Sequence, residues 1–294
     1  MLLRPHPLFP KVVSAMQKIA PLELADRSWD NVGILVESPG LPQFEGTKGG
    51  KILLTIDLTP AVVSEALRKE INVIVAYHPF IFSGMKSITL RDPKQAALMA
   101  LAQRGISVYC PHSALDATAG GINDWLCDMV TNPEENEKSV TVPITPDEKN
   151  PNVGSGRFRT FANPVSLDKA LERVKAHTGI PSLRLAVPDD KRGVAHKDFV
   201  IKTVAVCAGS GSGCFRGLKR NQVPDLILSG EMGHHDVLAW IQKGSVVILC
   251  EHTNSERGYL SARLKSKLIA ELGESAGAVE VFVSEVDADP LVMV

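Results

Sequence analysis

Short β-branched apolar runs that alternate with helix-length segments constrain this chain more than any other feature. Residues 51–56 form one such run, ending at Asp57. Thr59-Pro60 then supplies an N-cap followed by proline at the first position of a helix over 61–69. A second strand spans 73–76 and ends at Tyr77-His78-Pro79, and a helix over 93–103 leads to a strand over 106–109. Strand–helix–strand units of this length build a largely parallel sheet with helices on its faces. The pattern returns late, with strands over 225–228 and 246–249, helices over 233–242 and 255–270, and a last strand over 279–283.

Between these halves, the polar, proline-containing stretch 131–153 reads as a linker or edge insertion. A helix over 165–177 and strands over 184–187 and 199–206 follow it. The expected fold is therefore α/β. A discontinuous main α/β domain with a mostly parallel sheet takes residues 1–130 and 222–294, and a smaller inserted α/β domain takes 131–221. Each half has a strand, a histidine at its end and a helix, a similarity too loose to read as a repeat.

With 44% hydrophobic and 22% charged residues the chain falls among globular proteins and outside the disordered ones. Its formal net charge of −1 gives no sign of a nucleic-acid partner, although a local basic patch stays compatible with it. Five scattered cysteines without a CxxC pair suggest neither a disulfide framework nor a cysteine zinc site; reduced, buried thiols are expected. No apolar run reaches the length of a membrane span, and the N-terminus has no signal-peptide core. A cytoplasmic address is expected, with mitochondrial and nuclear ones left open.

Histidine is scarce, eight in all, and its placement is informative. Ligands of open α/β sheets bind outside the carboxyl ends of the strands. Strand 73–76 leads to His78, strand 106–109 to Pro111-His112-Ser113-Ala114-Leu115-Asp116, and strand 246–249 to Cys250-Glu251-His252-Thr253-Asn254-Ser255-Glu256. If those strands are neighbours in one sheet, imidazoles and carboxylates share a rim, as zinc, iron or manganese requires. Taken singly, each residue has a plainer role. His78 precedes a proline turn, His112 can bond backbone, Asp116 is an ordinary turn acid, and Thr253-Asn254-Ser255-Glu256 fits a capping box. The recurrence of the same residue types at three strand ends favours a metal site.

Three further segments draw attention. Gly230-Glu231-Met232-Gly233-His234-His235-Asp236 follows a strand and opens a helix, but adjacent helical histidines point apart and rarely share one ion. Gly209-Ser210-Gly211-Ser212-Gly213 reads first as a tight turn and second as a phosphate cradle, matching neither the dinucleotide nor the Walker A spacing. Trp29-Asp30-Asn31-Val32-Gly33 is a turn signal before a short strand. The zincin motif H-E-x-x-H is absent.

At these residues the chain resembles the Nif-three-like family, the GTP cyclohydrolase I type 2 homologues. The five ordered motifs are Trp29–Gly33, Tyr77-His78-Pro79-Phe80-Ile81-Phe82, Pro111–Asp116, Gly230–His235 and Cys250–Arg257. The Tyr-His-Pro and Glu-His-Thr-Asn-Ser-Glu-Arg forms look like the eukaryotic branch. The resemblance implies a toroidal homohexamer and a two-metal centre. It also implies ligation by His78, Asp116, His252 and Glu256, with Glu256 able to bridge two ions and His112 near them. Many bacterial members have two histidines before the proline, where this chain has Tyr77. A protonated phenol, with a pKa of about 10, is a poor ligand, so one or two ions per subunit are both compatible.

Three functions fit. One is metal-dependent hydrolysis of a nucleotide-like or other small substrate, with His112, His234 and His235 as the candidates for moving protons. Another is a metal chaperone or insertase. The third is a regulatory interaction protein with protein partners. Neither direct nucleic-acid binding nor membrane association is expected.

Overall fold

The computed structural model describes residues 4–41, 46, 49–131, 134–274 and 277–292. Residues 1–3 of the N-terminal stretch and residues 132–133 of the 131–153 stretch lie outside them. The chain forms two compact units, each α/β. Unit 1 comprises Met1–Leu115 and Tyr259–Ala288, and unit 2 comprises Asp116–Gly258 and Asp289–Val294. The boundaries expected at 130/131 and 221/222 both fall within unit 2.

Unit 1 runs through α1 (Leu8–Ile19), β1 (Gly33–Val36), β2 (Gly49–Thr55), α2 (Pro60–Arg68), β3 (Val73–Ala76), α3 (Pro93–Gln103) and β4 (Ser107–Cys110). Helix α4 (His112–Ala117) carries the chain into unit 2. The sheet order is β1–β4–β3–β2–β13, where β13 is Ala278–Val283, and every pairing except β1–β4 is parallel. All four residues of the central β3 are buried, as expected for a strand covered on both faces. Its neighbour helices start where the sequence punctuates them. Thr59 Oγ1 accepts from the Val62 amide at 3.4 Å, and Asp92 Oδ1 accepts from Lys94 and Gln95 at 2.9 Å each. Helix α1 buries Leu8, Phe9, Val12, Ala15 and Met16 along one stripe and packs on the C-terminal helical segment.

Unit 2 continues with α5 (Ile122–Val130), β5 (Val140–Val142), the β6–β7 pair (Thr145–Pro146 and Gly154–Ser155), β8 (Arg157–Ser166), α6 (Leu167–Thr178) and β9 (Arg184–Ala186). Then come β10 (Val200–Ser210), β11 (Leu226–Glu231), α7 (His234–Gln242) and β12 (Val246–Leu249). The main sheet is ordered β5–β8–β10–β11–β12–β9, and β10, β11 and β12 are mutually parallel. The condition read from sequence, that strands 73–76, 106–109 and 246–249 share one sheet, is not met. The first two lie in unit 1 and the third in unit 2. Consecutive strands joined by short crossovers pair with one another, so β12 pairs with β11.

The segment expected as one helix over 255–270 is interrupted. It consists of α8 (Arg257–Tyr259), a π turn (Leu260–Leu264) and α9 (Lys265–Leu272). Among the described residues no helix is long and apolar enough to cross a membrane. The cysteines are free thiols; Cys110, Cys127 and Cys250 are buried. Burial pushes the Cys127 and Cys250 thiols up to about 12, which keeps them protonated and inert.

Candidate metal centre

In unit 1 the carboxyl ends of the parallel neighbours β2, β3 and β4 carry Asp57, His78 and His112. The Tyr77 and His78 amides donate to the Thr55 and Ile56 carbonyls, at 2.9 and 3.0 Å, so the pairing of β2 with β3 runs on into the turn. His78 Nδ1 lies 2.9 Å from Asp57 Oδ1. His112 Nδ1 lies 2.7 Å from Asp30 Oδ1, and the other Asp30 oxygen accepts from the Ser113 amide and hydroxyl. The rings of His78 and His112 are 5.4 Å apart at 80°, and that of Tyr77 stands 5.3 Å from His112. His112 has φ +26, a conformation that side chains with a Cβ rarely adopt and that clusters at functional sites.

The turn around Asp30 thus has a definite role, which is to hold the His112 ring. Burial opposes the Asp30 charge. Hydrogen bonds from His112 and Ser113, with the charge of His112, outweigh it and hold the carboxyl below the usual carboxylate range. A carboxyl with a depressed folded-state pKa contributes stability that is present above its unfolded value and lost as pH falls through the folded value. We therefore expect Asp30→Asn to flatten the acid limb of the stability curve. Urea midpoints measured from about pH 6 down to about pH 3 should fall less steeply in the variant than in the parent. Equal slopes would remove this role.

In unit 2 the ends of β10, β11 and β12 carry Gly209, Glu231 and the Glu251-His252 turn. His252 Nδ1 lies 3.0 Å from Glu231 Oε1, and His252 Nε2 lies 3.6 Å from Glu256 Oε1. A neutral imidazole that donates through Nδ1 presents a lone pair at Nε2, and a carboxylate behind a ligating histidine is a recurrent feature of metal sites. The Thr253 amide, which a capping box would bond to Glu256, donates instead to Asp289 Oδ2 at 3.0 Å. Arg184 clasps Glu251 through both carboxylate oxygens, at 2.8 and 3.1 Å. Asp116 is half-buried; its carbonyl accepts from Asn123 Nδ2 at 3.0 Å. The Cys207 thiol is raised by hydrogen bonding with Cys214, then by burial, then by the charges of Cys214, Asp116 and Glu256, so both carboxylates bear on one end of β10.

Gly209 supplies the test of whether these residues suit an ion. A Cβ built there would stand 2.7 Å from both Glu256 Oε1 and His252 Nε2. Only a glycine therefore lets the strand end pass this close to a ring nitrogen and a carboxylate oxygen, the donor pair that a divalent ion takes. At the adjacent β11 end, a Cβ on Gly230 would stand 2.8 Å from the Glu251 carbonyl and His252 Cα. The two glycines let these backbone segments and the His252 and Glu256 side chains pack closely together. The donors fit a divalent metal. His234 and His235 are exposed at the start of α7, their rings 5.2 Å apart.

The sequence reading missed Asp57, Glu231 and Gly209 as parts of the site. A signal existed for the two acids. Asp57 precedes His78 by 21 residues and Glu231 precedes His252 by 21, in each case an acid ending one strand and a histidine ending the next across a crossover helix. The same βαβ device is built once in each unit.

A family profile described as Duf34/NIF3 (NGG1p interacting factor 3) matches residues 8–290. The chain belongs to the NIF3 family. Its eukaryotic relatives confirm the branch. It is 41% identical over 287 residues to the NGG1-interacting factor 3 of Saccharomyces cerevisiae, covering 96% of this chain and 95% of that one. It is 30% identical over 364 residues to the human NIF3-like protein 1, covering 96% and 92%. Solved structures share the fold. A hypothetical protein of Staphylococcus aureus superposes with a TM-score of 0.75 at 22% identity, over 99% of this chain and 100% of that one. A NIF3-related protein of Bacillus cereus superposes at 0.73 and 18%, over 97% and 98%.

Proposed function

We propose that the chain binds a divalent ion of the zinc, iron or manganese type through Asp116, His252 and Glu256 of unit 2, and hydrolyses a small nucleotide-like substrate. His252 and Glu256 offer a ring nitrogen and a carboxylate oxygen, donors of the kind such an ion takes. The observation that carries the reading is the His252–Glu256 pair, packed directly against Gly209, with Nδ1 of His252 held by Glu231. His78 has the same carboxylate brace, from Asp57.

A bound divalent ion supplies Lewis acidity to water and to substrate oxygens. His112 does the proton work. Its Nδ1 is engaged by Asp30, so Nε2 takes the proton and the Asp30 carboxylate steadies the imidazolium that results. His234 and His235, exposed on α7, are the remaining proton carriers to test. Tyr77 stands where a further imidazole would favour a second ion, so the number of ions is an experimental readout.

Elemental analysis of untagged protein is expected to find one or two divalent ions per chain, and the His252→Ala/Glu256→Ala protein to find none. Metal content unchanged in that variant would overturn the site. With metal loaded, turnover of GTP or a phosphate ester is expected, falling by about 10²–10⁴-fold in His112→Ala. No turnover across a broad panel would leave binding without hydrolysis, and transfer of the ion to an apo-client would then identify metal handling. The yeast relative is named as an interacting factor. A protein partner and a homohexamer are proposed for this chain as well, and light scattering of the purified protein reads the latter.

A further inference from the structure

Unit 2 carries a cavity of about 340 Å³ that shares no residue with the proposed metal ligands. It lies beside the crossover from β10 to β11 and one face of α7. Arg216, Lys219, Arg220 and Lys243 line it, against a single carboxylate, Asp236, among the described residues. Asp236 and Trp240 on α7 and Lys243 at its C-cap fall at helical spacing, so all three face the same hollow.

The backbone that carries the cations is tied in place. The Lys219 amide donates to Gln222 Oε1 at 3.1 Å, and the Gln222 amide donates back to the Lys219 carbonyl at 2.8 Å, which clasps the turn carrying Lys219 and Arg220. Ser212 Oγ accepts from the Gly233 amide at 3.2 Å and ties the glycine-rich loop to the start of α7. Lys243 Nζ sits 4.1 Å from the centre of the Trp240 ring. Arg216 reaches Asp236 only at 3.9 Å, too far for a bidentate pair. Four cations in one concavity repel one another, and a cleft lined by one sign of charge concentrates anions. In a chain whose formal net charge is −1, such a cluster is not a by-product of overall basicity.

We propose that this cavity binds a phosphorylated small molecule carrying at least two phosphate groups. Its volume is within the usual range for small-ligand sites, roughly 300–1,000 Å³. Several clustered cations are what a chain of phosphates requires, and arginine pairs with phosphate through two parallel bonds. A nucleic-acid strand is the less suitable occupant. Single strands are held by exposed aromatic faces, whereas Trp240 is buried and its ring is covered by Lys243.

The test is calorimetric titration of the full-length protein with inorganic tripolyphosphate. Binding at one site per chain is expected, weakened about tenfold or more in Lys219→Glu/Arg220→Glu and strengthened in Asp236→Asn. These residues are on the surface, so thermal melting should match the parent. Arg216→Glu is the second weakening variant if the double variant does not fold. His252→Ala should bind as the parent does, which separates this site from the proposed metal centre. Unchanged affinity in the charge-reversed proteins, loss of binding in His252→Ala alone, or tighter binding of a single-stranded oligonucleotide than of tripolyphosphate would each overturn the proposal.

Discussion

Gly209→Ala is expected to lower divalent-metal affinity by at least about a hundredfold while costing about 2–5 kcal/mol of folding stability, backbone strain and overpacking together. Gly209 has φ +59, so any side chain there meets the left-handed backbone penalty. The added methyl would also stand 2.7 Å from Glu256 Oε1 and His252 Nε2, well inside van der Waals contact. Relief requires both atoms to retreat by about half an ångström or more, beyond the ±0.2 Å that metal–ligand distances tolerate. Glu256 is 1% exposed and cannot swing outward, and the His252 ring is held from behind by Glu231. Gly179→Ala is the control. Gly179 caps α6 at φ +72, and a Cβ there meets nothing within 4 Å, so it isolates backbone strain. Competition titration with a chromophoric chelator should show Gly179→Ala binding metal as the parent does and Gly209→Ala failing to compete. Parent-like affinity in Gly209→Ala would mean that the His252–Glu256 pair does not hold the ion.

The contrast between these glycines shows where sequence reading stops. Both lie at positive φ, but only the fold puts catalytic-type side chains over one of them. Glycine clusters in a sequence report backbone freedom, and the Gly209–Gly213 run accordingly read as a turn. Element boundaries were far more legible. β3, α3 and β12 occupy the expected 73–76, 93–103 and 246–249, because β-branched runs and a proline after Asp92 punctuate them. β8 was not read, since Arg157, Arg159, Asn163 and Pro164 break its apolar alternation. The π turn at Leu260–Leu264 was invisible because one inserted residue barely perturbs an amphipathic stripe.

Candidate site residues were legible as chemistry and illegible as partners. Strand-end histidines declare themselves by type and position. Their braces do not, because a lone Asp57 or Glu231 is indistinguishable from any other turn acid until strand order makes it a neighbour. Strand order is itself a tertiary outcome. Nothing in the run 246–249 says that it pairs with 226–231 in one sheet, although short crossovers favour pairing of consecutive strands. The equal 21-residue spacings become meaningful only once both are known to span a βαβ unit.

Replacing Arg157 by Ala should destabilise the protein by about 3–5 kcal/mol, the usual consequence of breaking a buried ion pair from one side. Arg157 is 2% exposed, and its guanidinium is saturated within unit 2. Nε meets Asp124 Oδ1 at 2.9 Å, Nη1 donates to the Gly154 and Gly156 carbonyls at 2.6 and 2.8 Å, and Nη2 donates to the Ala117 and Thr118 carbonyls at 3.1 and 2.8 Å. The Asp124 side chain is itself 21% exposed and regains water on losing its partner, which places the cost toward the low end. The carbonyls weigh the other way, since buried acceptors left without a donor cost about 1–3 kcal/mol each where water does not replace the guanidinium. Two of them, Ala117 and Thr118, directly follow Asp116, whose own carbonyl is held by Asn123; Asn123 in turn accepts from the Ala208 amide at 2.9 Å, next to Gly209. Loss of Arg157 should therefore loosen Asp116 as well as the fold, and metal affinity should fall alongside the urea midpoint. Arg157→Lys should recover little of either, because an ammonium cannot span acceptors on two sides of a planar fork. A loss of less than about 1 kcal/mol in Arg157→Ala would show that water replaces the guanidinium and that the arginine is dispensable.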